Sequence, residues 1–518
     1  MPINEIDIYN RAIEQLKATP DSLTFQHQAV LSLARAGSLD FAVQEYNRYG
    51  LDKINDAPND KLLEDVICLG GRLLKDLHHS YSGQVAIDFA RKSSEKYEQA
   101  FKATGGYYSA INAATMAFAA NMPLEMVHHR AQDILRDLPK AEDTNSETRY
   151  FIEATRAEAE LLLGNPYRAQ RYLKAAVMHD PQNYAAHATT LNQLEMILRK
   201  RGESCNWLAA FRPPKPAHFA GHLFKIGNQA NAGEFDASAY AQLKIDMSDE
   251  IQRQNIGFGY GALAAGADIT IAEALLEEGA ALHVVLPVNP DVFIEHSVKP
   301  FGQNWVKRFK YCWKAADSRH VASTQTIWPN AQIDDYASRI AMGKTIQMAQ
   351  RFSIESQQLL LWDKRPAAQG TGRSALDWSS TGRTQFVWPY FGKRRLIAGD
   401  VTLPADVSIK VSLHQNNHDK VMSFFDLDEA INYALDQQSQ HKNQLQIGLH
   451  VDVNVNQDMS FETAKKLSNK ALPGSIFVSE TAACLLLFEH EDKYTLSYLG
   501  QCGAPTSAIP IYGLKLTA

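Results

Sequence analysis

Between residues 257 and 287 the chain reads GFGYGALAAGADITIAEALLEEGAALHVVLP, with four glycines in ten residues, then acids, then a fresh apolar run. Glycines permit positive φ and let a ligand lie against bare backbone. Asp268 follows, and Thr270 with Glu273 has the T-x-x-E spacing of a capping box at a helix start. Free amides behind a glycine-rich turn suit an anion. Gly259, Tyr260, Gly261, Gly266, Asp268 and Glu273 are therefore candidate ligand-binding residues, and Asp268 and Glu273 are weak candidates for a general acid or base. A tight turn in an ordinary α/β domain explains the same glycines. The dinucleotide fingerprint is incomplete, because GFGYGA lacks its third glycine and no acid stands at a following strand end.

Other patterns carry less. MGKT at 342–345 is no phosphate loop, since Ser338 stands where a Walker A glycine is required, inside a helical pattern. The His pairs at 78–79 and 128–129 point about 100° apart on a helix and make no chelate, so no metal site is expected. The tryptophans at 328, 362, 378 and 388 are read mainly as core. Five scattered cysteines, without a CxxC pair, suit reduced thiols in a cytoplasmic protein. A net charge of −6 over 518 residues gives no nucleic-acid footprint, no apolar run is long enough to span a bilayer, and no secretory signal is visible.

The elements that would position these residues fall into three segments, 1–212, 213–384 and 385–518. The first is rich in Ala, Leu, Glu, Gln and Lys with apolar residues recurring at three and four, which predicts helices. Within it Ala157, Ala169, Leu173, Ala176 and Pro181 repeat the small-residue and proline spacing of tetratricopeptide (TPR) hairpins. FRPPKPAH is a linker. After it, strand, helix and strand alternate, which predicts a parallel sheet with helices on both faces. A second linker is expected from Trp378 to Lys393. The last segment reads as six strands and two helices, an α+β domain.

Three resemblances sharpen this division. GYYSAINAATMAFAANM resembles the signature of the TRAFs-binding helical region of stress kinases and bacterial multidomain proteins. The Gly-His at 221–222, G-x-x-AGAD with its following A-E, and HVVLP resemble the SLOG superfamily, the Rossmann-like group that includes the LOG phosphoribohydrolases. That resemblance implies a site from Gly221 and His222 on one loop, Gly259, Gly261, Gly266 and Asp268 on the next, and Asp363, Gly370, Thr371 and Gly372 as the last wall. AAQGTGRSALDW is expected to be a second small-residue loop. The P-G-G-x-G-T-x-x-E segment of the catalytic LOG enzymes is absent, which favours a sensor over a hydrolase.

From Asp426 onward, LQIGLHVDVNV, PGSIFVSE and IPIYGLKL resemble the last half of a class III nucleotidyl cyclase domain, a ferredoxin-type α+β fold. Glu462 and Lys466 stand at the Asn and Arg positions of that family, and only Asp400 and Asp406 offer metal-binding carboxylates. An inactive homologue that mediates self-association is implied. The expectation is a cytoplasmic signalling protein, by fold-level analogy in bacterial stress or anti-phage defence. It binds a nucleotide or nucleotide-derived messenger, holds no other cofactor, forms a homo-oligomer and meets a protein partner through its helical repeats. A nucleotide hydrolase and a ligand-free structural adaptor are the alternatives.

Overall fold

The computed structural model describes residues 5–35, 38–139, 145–227, 234–323, 332–365, 370–390, 407–415, 418–441, 444–453, 457–490, 492–502 and 508–516. They divide into two compact units, one of Met1–Pro213 with Ser497–Gln501 and one of Pro214–Leu496 with Cys502–Thr517.

The first unit is helical as expected: α1 (Glu5–Ala18), α2 (Leu23–Arg35), α3 (Leu39–Arg48), α4 (Asp60–Ser80), α5 (Gly83–Thr104), α6 (Tyr107–Ala119), α7 (Leu124–Asp137), α8 (Ser146–Leu162), α9 (Pro166–His179) and α10 (Tyr184–Arg201). Local chemistry sets the ends. The Asn59 and Asn145 side chains accept the Leu62 and Thr148 amides at 2.9 and 2.8 Å, capping α4 and α8. Neighbouring helices pack as TPR-like hairpins. Ala157 of α8 and Ala169 of α9 are fully buried in one apolar cluster, and Ala176 of α9 is buried with Tyr150 and Ala154 of α8, so larger side chains there would force the pair apart.

The GYY segment becomes α6, whose Asn112 ties helices together. Asn112 accepts from Lys75 Nζ of α4 at 3.1 Å and donates to the Tyr108 carbonyl at 2.9 Å. One turn on, Thr115 hydrogen-bonds Glu158 of α8, which also accepts from Gln193 of α10 at 3.0 Å. Burial pushes the Lys75 ammonium down and the Glu158 carboxyl up, and their mutual attraction opposes both shifts.

The second unit continues with β1 (Lys215–Gly221), β2 (Lys225–Gly227), β3 (Glu234–Asp236), α11 (Ala237–Arg253), β4 (Ile256–Gly261), α12 (Ala267–Glu277), β5 (Ala281–Leu286), α13 (Pro290–Phe293), α14 (Gln303–Ala315), β6 (Ser318–Val321), α15 (Gln332–Phe352), β7 (Gln357–Trp362), α16 (Gly370–Ser380) and β8 (Thr384–Pro389). Six of these strands form a sheet in the order β6, β5, β4, β1, β7, β8, every pairing parallel. Side chains alternate across it. Gly221 and Gly259 face α12, while His218 and Tyr260 face the side where α15 packs.

Two expectations for this stretch need correction. Trp378 to Pro389 is no linker, because Trp378 is fully buried in α16 and β8 pairs with β7 along its length. Gly370 to Trp378 is likewise a helix and not a loop, its Ser374, Ala375 and Trp378 turned into the core. Glycine and small residues suggested a break where they serve close packing.

The unit ends with β9 (Val407–Gln415), β10 (His418–Phe424), α17 (Leu427–Gln440), β11 (Gln446–Val453), α18 (Gln457–Lys470), β12 (Ser475–Ser479), α19 (Glu480–His490), β13 (Tyr494–Cys502) and β14 (Ile509–Leu516). The strands make a mixed sheet, order β10, β9, β11, β12, β14, β13, with β11 and β12 its parallel pair. A third helix, α19, joins the two expected ones. Its residues Ala482 to Phe488 are all buried, so it shows no amphipathic period and was not read from the sequence. It is buried on all sides because its own sheet covers one side and α15 the other.

That α15–α19 seam explains the MGKT segment. A Cβ on Gly343 would fall on the Cys484 backbone, so glycine lets the two helices touch. Lys344 forms an ion pair with Glu480, which also meets His320 at 3.3 Å. The Lys344 ammonium first, and then the His320 hydrogen bond, hold the Glu480 carboxyl far below its ordinary range despite its burial. Arg339 reaches Glu489 at 3.5 Å, and Met342, Ile346 and Trp378 form one apolar cluster with Leu487 and Phe488.

Candidate functional site

The order of the parallel sheet decides where a ligand would go. From β1 the chain builds outward through β4, β5 and β6, then returns to the other side of β1 with β7 and β8. The connections leaving β1 and its two neighbours therefore diverge, the topology at which open parallel sheets take ligands outside the carboxyl ends of their strands. Most of the residues singled out in the sequence stand there.

His222, just past β1, binds Asp363, just past β7. Its Nε2 lies 3.2 Å from Asp363 Oδ1 and accepts the Asp363 amide at 3.3 Å. The His222 carbonyl accepts the Ala267 amide at 3.1 Å, tying this loop to the first turn of α12. Tyr390 lies against the imidazole with ring centres 4.8 Å apart. Gly266 has φ +103°, and a Cβ there would sit 2.6 Å from the Phe224 nitrogen and 2.8 Å from the His222 oxygen, so only glycine fits.

Asp268 lies in the first turn of α12 and is 8% exposed. Its Oδ2 accepts the Ala264 amide at 3.3 Å, and its Oδ1 has no hydrogen-bond partner among the described residues. Burial pushes this carboxyl up to about 7, with the Ala264 and Gly221 amides opposing the shift. Asp334 and Asp335, in the first turn of α15, complete the group. Burial first, and then the charges of Asp335 and Asp268, push Asp334 up to about 8. Asp335 accepts the Gly370 amide of α16 at 3.2 Å, and burial raises it to about 6. The first turns of α12, α15 and α16 thus each bring a polar group to these strand ends. Thr371 and Gly372 lie in the first turn of α16, Gly372 buried.

Other expected site residues serve packing. A Cβ on Gly221 would meet Ala267, one on Gly259 would meet Leu275, and one on Gly261 would lie 2.5 Å from the Phe219 carbonyl. These glycines let β1, β4 and α12 approach each other. Tyr260 is a core residue on the opposite face, stacked on His283 with ring centres 4.4 Å apart, and burial raises its phenol. The capping box does not form. Thr270 is fully buried inside α12 and donates to the Gly266 carbonyl at 2.7 Å. Glu273 is held in a two-pronged ion pair with Arg308, at 2.7 and 2.6 Å, with Arg308 stacked on Trp305.

Asp334 and Asp335 are functional candidates that the sequence reading passed over. An acid pair before a helical pattern is ordinary N-terminal chemistry, and only the strand order brings it to Asp268. Among the described residues no group of three His, Cys, Asp or Glu is placed to hold a metal ion. In the final segment, Glu462 is exposed and pairs with Lys465 at 3.6 Å. Asp400 and Asp406 lie outside the described residues. All five cysteines are outside disulfides, and Cys68, Cys312, Cys484 and Cys502 are buried.

Comparison with known proteins bears on the first unit. The family model for the Tetratricopeptide Repeats-Sensor domain matches residues 6–117, from α1 into α6. No curated protein matches. Among solved structures, LpoA of Haemophilus influenzae aligns over 74% of this chain and 77% of its own, at 10% identity and a TM-score of 0.16, which carries no argument. Among the described residues no helix is long and apolar enough to cross a membrane.

Proposed function

We propose that this protein is a signalling sensor that binds a nucleotide or nucleotide-derived messenger at the carboxyl ends of the parallel sheet. The single observation that carries the reading is Asp268, a buried carboxyl whose Oδ1 has no hydrogen-bond partner among the described residues, with Asp334 near enough to feel its charge. A buried acceptor of that kind is costly in an empty protein and is relieved by a ligand that donates to it. Its place at the reversal of strand order is where open parallel sheets take ligands. The SLOG-like sequence of this segment and the sensor-type repeats of the first unit point the same way. The repeats then serve a protein partner, and the cyclase-like segment serves self-association.

A hydrolase is the second reading, favoured by the Asp268 carboxyl near 7, a value suited to a general acid or base. Glu273 does not support it, since Arg308 occupies both of its oxygens. Native mass spectrometry of gently purified protein, followed by denaturation and identification of what is released, tests the proposal. A nucleotide retained by wild type and lost in Asp268→Asn supports it. A nucleotide converted to product on incubation moves the case to the hydrolase, and no retained or added nucleotide binding at all defeats both. Gly261→Trp is unsuitable here, because it would break the β1–β4 contact rather than fill a ligand site.

A further inference from the structure

Resting on the reading that the repeats serve a protein partner, we infer that a groove beside α5 takes a cationic segment of that partner, with a lysine or arginine stem on Ile67 and its charge at Glu95. A cavity of about 600 Å³ opens on the first unit between α4, α5 and the segment that joins α3 to α4. That segment turns through Leu51–Lys53 and is then tied to α5. The Lys96 ammonium donates to the Asp52 carbonyl at 3.1 Å, and the Gln99 amide donates to the Asn55 side chain at 3.3 Å. Ile54 and Ala57 of the same segment pack against Leu63, Ile67 and Ala100. The groove is thus walled by anchored chain on one side and a long helix on the other.

The α5 wall consists of Glu95, Glu98, Gln99, Lys102 and Ala103, whose spacing of three and four puts them on one face of the helix. The charges on that face do not balance. Glu98 is met twice, by Lys102 at 3.4 Å and by Arg130 of α7 at 2.9 Å, and Asn55 and Gln99 are bonded to each other. Glu95 is exposed and has no ion pair among the described residues. The groove therefore offers an incomer an apolar floor at Ile67 and Ala103 and one uncompensated carboxylate. An acidic or phosphorylated guest would meet Glu95 with both nearby cations already engaged. Lysine and arginine suit it, because they lay a methylene stem on apolar surface and keep the charged head in water. The volume lies within the range of ordinary ligand sites and exceeds one side chain. It has room for the apolar neighbours of that residue, so the guest is a stretch of polypeptide and not a free amine.

Fluorescence anisotropy of dye-labelled heptapeptide pools, titrated with the full chain, tests the inference. Each pool fixes Arg, Lys, Leu or Glu at its centre and carries an equal mixture of apolar residues at the flanking positions. The variants are Glu95→Gln, Glu95→Lys and Ala103→Trp, all at exposed positions of α5, and unchanged circular dichroism verifies the fold. The expected result is tighter binding of the Arg and Lys pools than of the Leu and Glu pools. Glu95→Gln should weaken the basic pools about threefold, and Glu95→Lys, which turns attraction into repulsion, about tenfold, with the Glu pool now preferred. Ala103→Trp should weaken every pool by covering Ile67. The same ranking of pools in wild type and Glu95→Lys, or a wild-type preference for the Glu pool, would overturn the groove assignment while leaving a partner surface elsewhere on the repeats. Binding of no pool by wild type would overturn the assignment and the partner role of the repeats together. Nucleotide retention, measured on the same preparations, reports separately on the sensor reading.

Discussion

Gly343 offers a test in which two physical effects predict opposite signs. It lies in the interior of α15, where glycine is about 1 kcal/mol less favourable than alanine because of the backbone freedom it gives up. Helix propensity alone therefore says that Gly343→Ala stabilises. The structure says otherwise, because the added Cβ would fall on the carbonyl carbon and oxygen and the Cα of Cys484 in α19. Backbone cannot swing aside as a side-chain tip can, so α19 must move away from α15. Overpacking of this kind costs about 1–3 kcal/mol, at the upper end where the neighbour is rigid. The same movement stretches the Lys344–Glu480 pair and loosens Leu487 and Phe488 against Trp378. The net expectation is a loss of about 2 kcal/mol, a fall of about 4 °C in the unfolding temperature of the second unit at about 2 °C per kcal/mol for a domain of this size. Differential scanning calorimetry reads the shift, and hydrogen exchange should show faster exchange confined first to α15 and α19. A rise in melting temperature with α19 still protected would refute the seam.

Three further outcomes follow from the same geometry. Glu273→Leu should cost the second unit about 3 kcal/mol in urea unfolding, because it strands the partly buried Arg308, while Arg308→Met with Glu273→Leu should recover much of that loss; a loss-free single variant would contradict the pair. Asp334 has a folded-state carboxyl near 8 against an ordinary 3.8, so the native state holds its proton more tightly than the unfolded chain. Its contribution is full below pH about 4 and is lost as pH rises toward 8, so Asp334→Asn should gain on wild type across that window, and a gain independent of pH would contradict the clustering of carboxyls. Lys75→Met should destabilise the helical unit by leaving Glu158 without its cation, and Lys75→Met with Glu158→Gln should be milder than the single change; thermal unfolding of the double-mutant cycle reads the coupling.

Much of the architecture was legible because periodicity is local. The helical pattern up to residue 212 became ten α-helices among the described residues, and Ala157, Ala169 and Ala176 are buried where TPR-type spacing put them. The strands β1, β5 and β7 and those of the second sheet stand close to where apolar runs suggested, whereas β8 falls in the segment expected to be a linker and β6 was not read from the sequence. What failed was burial without a pattern. Helix α19 is apolar on every side because it is wedged between its own sheet and α15, and the segment from Gly370 packs small residues inward where they looked like a loop. The glycines of residues 257–266 were read as space for a ligand, yet at 259 and 261 the space is filled by Leu275 and Phe219. Asp334 and Asp335 were passed over for a different reason. Their meeting with Asp268 depends on β1 lying between β4 and β7, which no local pattern encodes.

Photolabelling with 8-azido-ADP, followed by digestion and peptide mapping, tests the central claim most directly, because it asks where a nucleotide sits. The account predicts label in peptides from the carboxyl ends of β1, β4 and β7 and the first turns of α12, α15 and α16, competed by unmodified ADP and diminished in Asp334→Asn. Label confined to the helical unit or to residues 407–516, or none above background, would contradict it.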